Sequence, residues 1–211
     1  MGEVILIYGK SGTGKSRSLV NFGEDEIFLV QTIRKRLPFR KQFKYTMVSD
    51  NVLTIMAQLQ KMKDFGIKTA VIDDAGYLMT NEFMKRHGKK GANQFDLYND
   101  IADNFWSLIE SVKALPDDVL VYIIMHEQSN DYGETKLRTI GKLLDDKVCL
   151  EGLCTIVLRC VIENGQHMFL TQGTGTDVSK SPEGLFDELK IENDLKAVDA
   201  KIRDYWNLGG N

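Results

Sequence analysis

Residues 9 to 16 read Gly-Lys-Ser-Gly-Thr-Gly-Lys-Ser, directly behind the apolar run Glu3-Val4-Ile5-Leu6-Ile7-Tyr8. This is the pattern G-x-x-x-x-G-K-[ST], and each fixed position in it has a physical role. Gly9, Gly12 and Gly14 let the backbone turn sharply and approach an anion closely. The N–H groups of Lys10, Ser11 and Thr13, with the start of a following helix at Arg17-Ser18-Leu19-Val20, offer partial positive charge. Lys15 is placed to reach β- and γ-phosphates, and Ser16 to ligate Mg²⁺. A strand, this loop and a helix in that order constrain the fold to an α/β sheet with a nucleotide at the carboxyl end of its first strand. The competing reading of the octapeptide is a chance glycine-rich turn.

The chain has 211 residues, enough for one domain with a sizeable core. No apolar run reaches the length of a membrane span, and the first strand starts almost at Met1, so neither a membrane anchor nor a leader is expected. Cys149, Cys154 and Cys160 are an odd number in or near apolar segments, which predicts reduced thiols and a cytoplasmic location. A zinc site combining them with His167 is a weaker alternative, since no Cys-x-x-Cys pair is present.

The net charge of −3 conceals an asymmetry. Residues 34 to 44 carry Arg34, Lys35, Arg36, Arg40, Lys41 and Lys44 with no acid, and residues 85 to 90 add Lys85, Arg86, Lys89 and Lys90. Phe39, Phe43 and Tyr45 interleave the first group. Cations that follow phosphates and rings that stack on bases suit single-stranded nucleic acid. A solvated charged loop is the alternative for each segment.

Periodicity predicts strands over residues 26–31, 68–74 and 119–125 and a helix over 51–64, capped by Ser49 or Asp50. A longer helix with Leu97, Ile101, Phe105, Leu108 and Val112 inward is stopped by Pro116. Residues 84–96 and 128–141 read as loops. Residues 153–162 and 167–171 flank Asn164-Gly165, a hairpin signal. A terminal helix over 191–206 presents Ile191, Leu195, Val198, Ile202 and Tyr205, either to its own sheet or to another subunit. The predicted fold is therefore α/β, a mainly parallel central sheet flanked by helices, with a C-terminal hairpin and helix, in one domain over residues 1–211.

Two strand ends carry candidate chemistry. Asp73 closes a buried strand, the position from which a carboxylate holds Mg²⁺ in phosphate-loop enzymes. Asp74 follows and is a candidate general base, or a solvent-facing helix cap. His126 and Glu127 end the next strand. There a histidine can contact a γ-phosphate or the lytic water, and Glu127 is a second candidate base. Lys136, Arg138, Lys142, Arg159 and Lys180 are candidates for a cation donated to a neighbouring subunit's site.

The ordered set Gly9–Ser16, Asp73, His126 and Lys180-Ser181-Pro182-Glu183-Gly184 resembles the RecA-like ATPase core. More narrowly it is similar to short phage-encoded ATPases with AAA-type domains, linked to single-strand annealing and homologous recombination. The resemblance implies ATP and Mg²⁺ as ligands, single-stranded DNA as partner, a homo-oligomeric ring or filament, and the host cytoplasm as location. It also implies DNA-binding loops at 84–96 and 128–141, a γ-phosphate sensor at His126, and Lys180 acting in trans. Pro182 stands where that finger's arginine would be, and no acid follows the second strand at Thr32-Ile33-Arg34, so Asp74 or Glu127 replaces the usual glutamate or turnover is slow. A monomeric kinase of a nucleotide or small-molecule acceptor and a low-turnover regulatory module are the other readings.

Overall fold

The computed structural model describes residues 1–88, 93–140 and 148–209. Lys89, Lys90 and Lys142 lie outside the described residues.

The order of elements is β1 (Glu3–Gly9), β2 (Phe28–Gln31), β3 (Tyr45–Val48), α1 (Val52–Leu59), β4 (Thr69–Asp73), α2 (Gly76–Arg86), α3 (Gln94–Lys113), β5 (Leu120–Ser129), β6 (Thr135–Leu137), β7 (Ile156–Glu163), β8 (Gln166–Leu170), β9 (Lys190–Glu192) and α4 (Leu195–Tyr205). The strands form one sheet in the order β3-β2-β4-β5-β1-β7-β8-β9, with β6 paired to β5. Pairs from β3 to β7 along that path are parallel, whereas β7–β8, β8–β9 and β5–β6 are antiparallel. This is the predicted α/β architecture, the fold of P-loop NTPases.

Both faces of the sheet are covered, which is why its central strands read as continuous apolar runs rather than alternating ones. In β1, Val4, Leu6 and Tyr8 face one core with α1, α2 and α3, while Ile5 and Ile7 face the other with α4. The five inward residues expected on α3 are all buried. On α4, Leu195, Val198 and Ile202 pack against the chain's own sheet, and Tyr205 is 39 % exposed. The Asn164-Gly165 turn is present with both residues at positive φ, 50° and 78°. That geometry matches the twist of the flanking strands. Among the described residues no helix is long and apolar enough to cross a membrane.

Several boundaries differ from expectation. The segment expected as a loop over 84–96 is instead helical at each described end, as α2 runs to Arg86 and α3 starts at Gln94 behind an Asn93 cap. Over 128–141, β5 continues to Ser129 and folds back through β6, since Asn130 ties the turn with its side chain. Asn51, not Ser49 or Asp50, caps α1, with its oxygen accepting from the Thr54 N–H at 2.9 Å. The helix expected behind the phosphate loop is a single 3-10 turn, Ser16–Leu19. Gly23-Glu24-Asp25 follows too soon for a longer one. Anion binding there rests on the loop's own N–H groups more than on a helix dipole.

Candidate functional site

The site is assembled at the carboxyl edge of the parallel strands, the expected place for a ligand in an open α/β sheet. β5 lies between β1 and β4, and His126 sits in register with Gly9. That insertion puts a histidine between the phosphate loop and the two aspartates at the end of β4.

The loop is a tight cradle. A Cβ on Gly9 would stand 2.5 Å from the Cys160 carbonyl oxygen, so β7 admits no side chain there. Gly14 has φ 98°, and a Cβ on it would stand 2.9 Å from His167 Nδ1. His167 Nδ1 is also 2.9 Å from the Thr13 carbonyl oxygen, which docks the β7–β8 hairpin onto the loop. Thr13 Oγ1 donates to the Lys10 carbonyl at 2.8 Å. Lys10, Ser11, Gly12 and Arg17 are exposed around the cradle.

Lys15 is buried and bends back over its own loop, Nζ donating to the Gly9 and Lys10 carbonyls at 2.7 Å each. Burial lowers its pKa, opposed by Asp74 and Asp73 among its neighbours. Ser16 Oγ donates to both Asp73 carboxylate oxygens, at 2.9 and 3.0 Å. A hydroxyl and a buried carboxylate converging in this way form a hard oxygen donor set, which fits Mg²⁺. Burial holds the Asp73 carboxyl above its ordinary value.

Asp74 is buried and left-handed, with φ 59°. Aspartate tolerates that region better than most residues. The Thr32 hydroxyl donates to the Asp73 and Asp74 carbonyls at 3.1 and 2.7 Å and pins the turn. His126 Nε2 lies 3.5 Å from Asp74 Oδ1. Lys35 forms an ion pair with Asp74 and stands 3.7 Å from Asp73. Burial pushes Asp74 up, but the hydrogen bonds from His126 and Lys35 outweigh it, and its pKa lies below the ordinary carboxylate value.

Other expected site residues lie apart from this cluster or are engaged elsewhere. The Glu127 carboxylate is buried and gripped from two sides by Arg159, Nε–Oε2 2.9 Å and Nη2–Oε1 3.2 Å. Asp74 is likewise paired, with Lys35 and His126, so pairing alone does not choose between the two acids. Lys180 is held by backbone pairing to Val157, which registers with Leu6, three residues below Gly9. It does not join its own chain's cluster. Cys154 and Cys160 belong to cores on opposite faces of the sheet, and burial pushes both thiols up to about 12. They cannot share a zinc ion.

The basic segment after β2 divides in two. Lys35 belongs to the aspartate cluster, and Lys41 Nζ donates to the Val20 and Phe22 carbonyls. Phe43 is in the core with Phe39 packed edge-on against it, so these rings support the segment instead of facing outward. Arg34, Arg36, Arg40 and Lys44 are exposed. The segment walls a cleft of about 1200 Å³ that includes Lys35 and Gln31. In the second basic segment, Lys85 pairs with Asp50 at 2.5 Å, and Arg86 with Glu82 and Asp100 at 2.6 and 2.5 Å.

Three contributors to the site carried no local signal: Thr32 as the pin of the Asp73–Asp74 turn, Lys35 as the cation of the aspartates, and His167 as the clamp on the loop. Each acts across a long sequence separation.

A phosphate loop behind the first strand, a serine against a buried carboxylate and a parallel sheet with a strand between them define a P-loop NTPase. The family model of the AAA domain matches residues 1–182, and the chain belongs to that family. Membership makes it a nucleotide-binding ATPase domain as a class, with Mg²⁺ the usual companion of the nucleotide. A search of curated proteins found no match.

Proposed function

We propose that this chain hydrolyses ATP to act on single-stranded DNA, as a homo-oligomer, in recombination or replication of a phage genome within the host cytoplasm. The observation that carries the reading is the contact of Lys35 with Asp73 and Asp74. One residue of the exposed basic segment reaches the catalytic acids, so an anion bound along that segment and the nucleotide share a group.

The chain's residues divide the work. Loop N–H groups and Lys15 hold the phosphates, and Lys15 exchanges its two carbonyl partners for phosphate oxygens. Ser16 and Asp73 hold Mg²⁺, which when bound neutralises charge on the β- and γ-phosphate oxygens. Asp74, ionised at neutral pH, accepts the proton of the attacking water, and His126 orients that carboxylate and reads the γ-phosphate. Lys180 of a neighbouring subunit supplies a further cation. Arg34, Arg36, Arg40 and Lys44 bind DNA phosphates.

The cleft of about 1200 Å³ favours a second reading, a kinase whose anionic acceptor lies against Lys35. ATP hydrolysis measured with and without single-stranded DNA, at two salt concentrations, separates them. Stimulation that fades with salt is the expected result. Nucleotide binding without stimulation, with ATP consumed only when a phosphorylatable acceptor is added, identifies the kinase.

A further inference from the structure

Asp73 and Asp74 are adjacent in the chain, and their side chains are 1 % and 4 % exposed. Buried carboxylates need a partner of opposite charge. Lys35 supplies it, paired with Asp74 Oδ2 and 3.7 Å from Asp73 Oδ2. The Lys35 side chain is itself 35 % exposed. It also lines the cleft of about 1200 Å³, together with Arg36, Arg40 and Lys41 and against the acid Glu24. One ammonium therefore borders two places, the acids and a basic cleft.

The backbone that carries Lys35 is held from both ends. Gln31 Nε2 donates to the Lys35 carbonyl at 3.0 Å. Further along, Lys41 Nζ donates to the Val20 and Phe22 carbonyls, and Phe43 is in the core. A change of partner at Lys35 is thus a swing of its flexible stem, with the segment left in place.

Where it stands, Lys35 obstructs the chemistry. A general base must reach the proton that it takes, and the Lys35 ammonium is seated on the Asp74 carboxylate. The same positive charge stands beside the Asp73 oxygens that Ser16 contacts, where it repels a metal ion. Withdrawing Lys35 by itself strands buried charge. The withdrawal is balanced when Asp73 has the metal ion as its new partner, Asp74 keeps His126 at 3.5 Å, and the ammonium meets an anion in the cleft.

We propose that Lys35 is a latch on the ATPase site, released when Mg²⁺-nucleotide and a single-strand phosphate in the basic cleft are bound together. This rests on the single-stranded DNA reading given above and adds the regulation of the site. Arg36 and Arg40, both exposed, draw the phosphodiester into the cleft. Lys35 turns from Asp74 to that phosphate, and Asp74 is freed to accept the proton of the attacking water. Because both ligands act on one side chain, each must tighten the binding of the other.

The wild type tests the latch without any substitution. Fluorescence anisotropy of a labelled oligothymidylate is measured with and without Mg²⁺ and a non-hydrolysable ATP analogue. Binding should tighten by about fivefold or more in their presence. Equal affinity overturns the latch, while stimulation of ATP hydrolysis by the same strand keeps the DNA reading. A protein that binds ATP but never the strand removes the DNA reading and the latch with it. Lys35→Met keeps the stem and deletes the charge. It should lose the tightening and hydrolyse ATP without DNA at least about fivefold faster than the wild type. Slower hydrolysis by that variant, with nucleotide still bound, overturns the latch, because Lys35 would then serve the γ-phosphate as a catalytic cation.

Discussion

Two groups of buried acid lie at opposite edges of one sheet, and they are closed by different kinds of partner. At the amino edge, Asp199 of α4 accepts from the hydroxyls of Thr69 and Tyr122 at 3.0 and 3.1 Å and from Arg203 Nε at 2.6 Å. Arg203 also donates to the Asp118 and Lys68 carbonyls. Most of these groups stand on β4, β5 and α4, so the network is closed by rigid elements and staples the terminal helix to the sheet. At the carboxyl edge, Asp73 and Asp74 are equally buried, but their cation comes from a loop residue, Lys35, and their other partners are the hydroxyl of a phosphate loop and a half-buried histidine. Burial of a carboxylate does not by itself mark function. Whether its partners can be exchanged for a ligand does.

The comparison breaks if the amino-edge network is dispensable. Asp199→Ala leaves Arg203 and Tyr122 without their shared acceptor and should cost about 3–5 kcal/mol of stability in urea unfolding, with ATP affinity unchanged once the protein is folded. Loss of ATP affinity without loss of stability would make the two edges functionally one. The carboxyl edge should answer in rate. Asp74→Asn should lower ATP hydrolysis by about 100-fold or more while retaining nucleotide binding. Unchanged turnover would return the base role to Glu127 and require Arg159 to release it.

The smallest effect sharpens the comparison by its sign. Burial raises the Asp73 pKa, so the folded chain holds a proton there at a pH where the unfolded chain has lost it. Its contribution to stability is present below the ordinary carboxylate value of 3.8 and is lost as pH rises through the folded value. Asp74 is shifted the other way, and its contribution is present above the ordinary value and lost as pH falls through the folded one. Asp73→Asn should therefore raise the thermal midpoint slightly at neutral pH, and Asp74→Asn should lower it. Thermal scans from acid to neutral pH check both, and parallel shifts would refute the assigned signs.

The carboxyl edge was legible where the signal is local. The phosphate loop, the Asp73–Asp74 pair and His126 each close a fully buried apolar run, although β5 itself continues past His126 to Ser129, and the end of such a run in a parallel sheet is a readable address. α3 and the Asn-Gly hairpin were legible for the same reason, whereas the helix expected over 191–206 starts only at Leu195, behind an Asp194 cap, and Ile191 lies on β9. What escaped depends on distant partners. Nothing near Lys35 announces that it folds back onto β4, nothing near Glu127 announces Arg159, and the Asp199 network joins residues more than a hundred positions apart. β3 was missed because a four-residue, half-buried edge strand carries little hydrophobic pattern. The single 3-10 turn behind the loop departs from expectation because Gly23-Glu24-Asp25 leaves little chain before β2.

The most direct test of the account is calorimetric titration of ATP, with and without Mg²⁺, into the wild type and Asp73→Asn. The account predicts that Mg²⁺ tightens binding to the wild type, and that the variant binds ATP alone as well as the wild type but gains nothing from the metal. Equal tightening by Mg²⁺ in both proteins would contradict it, because Ser16 and Asp73 would then not be the residues that hold the ion.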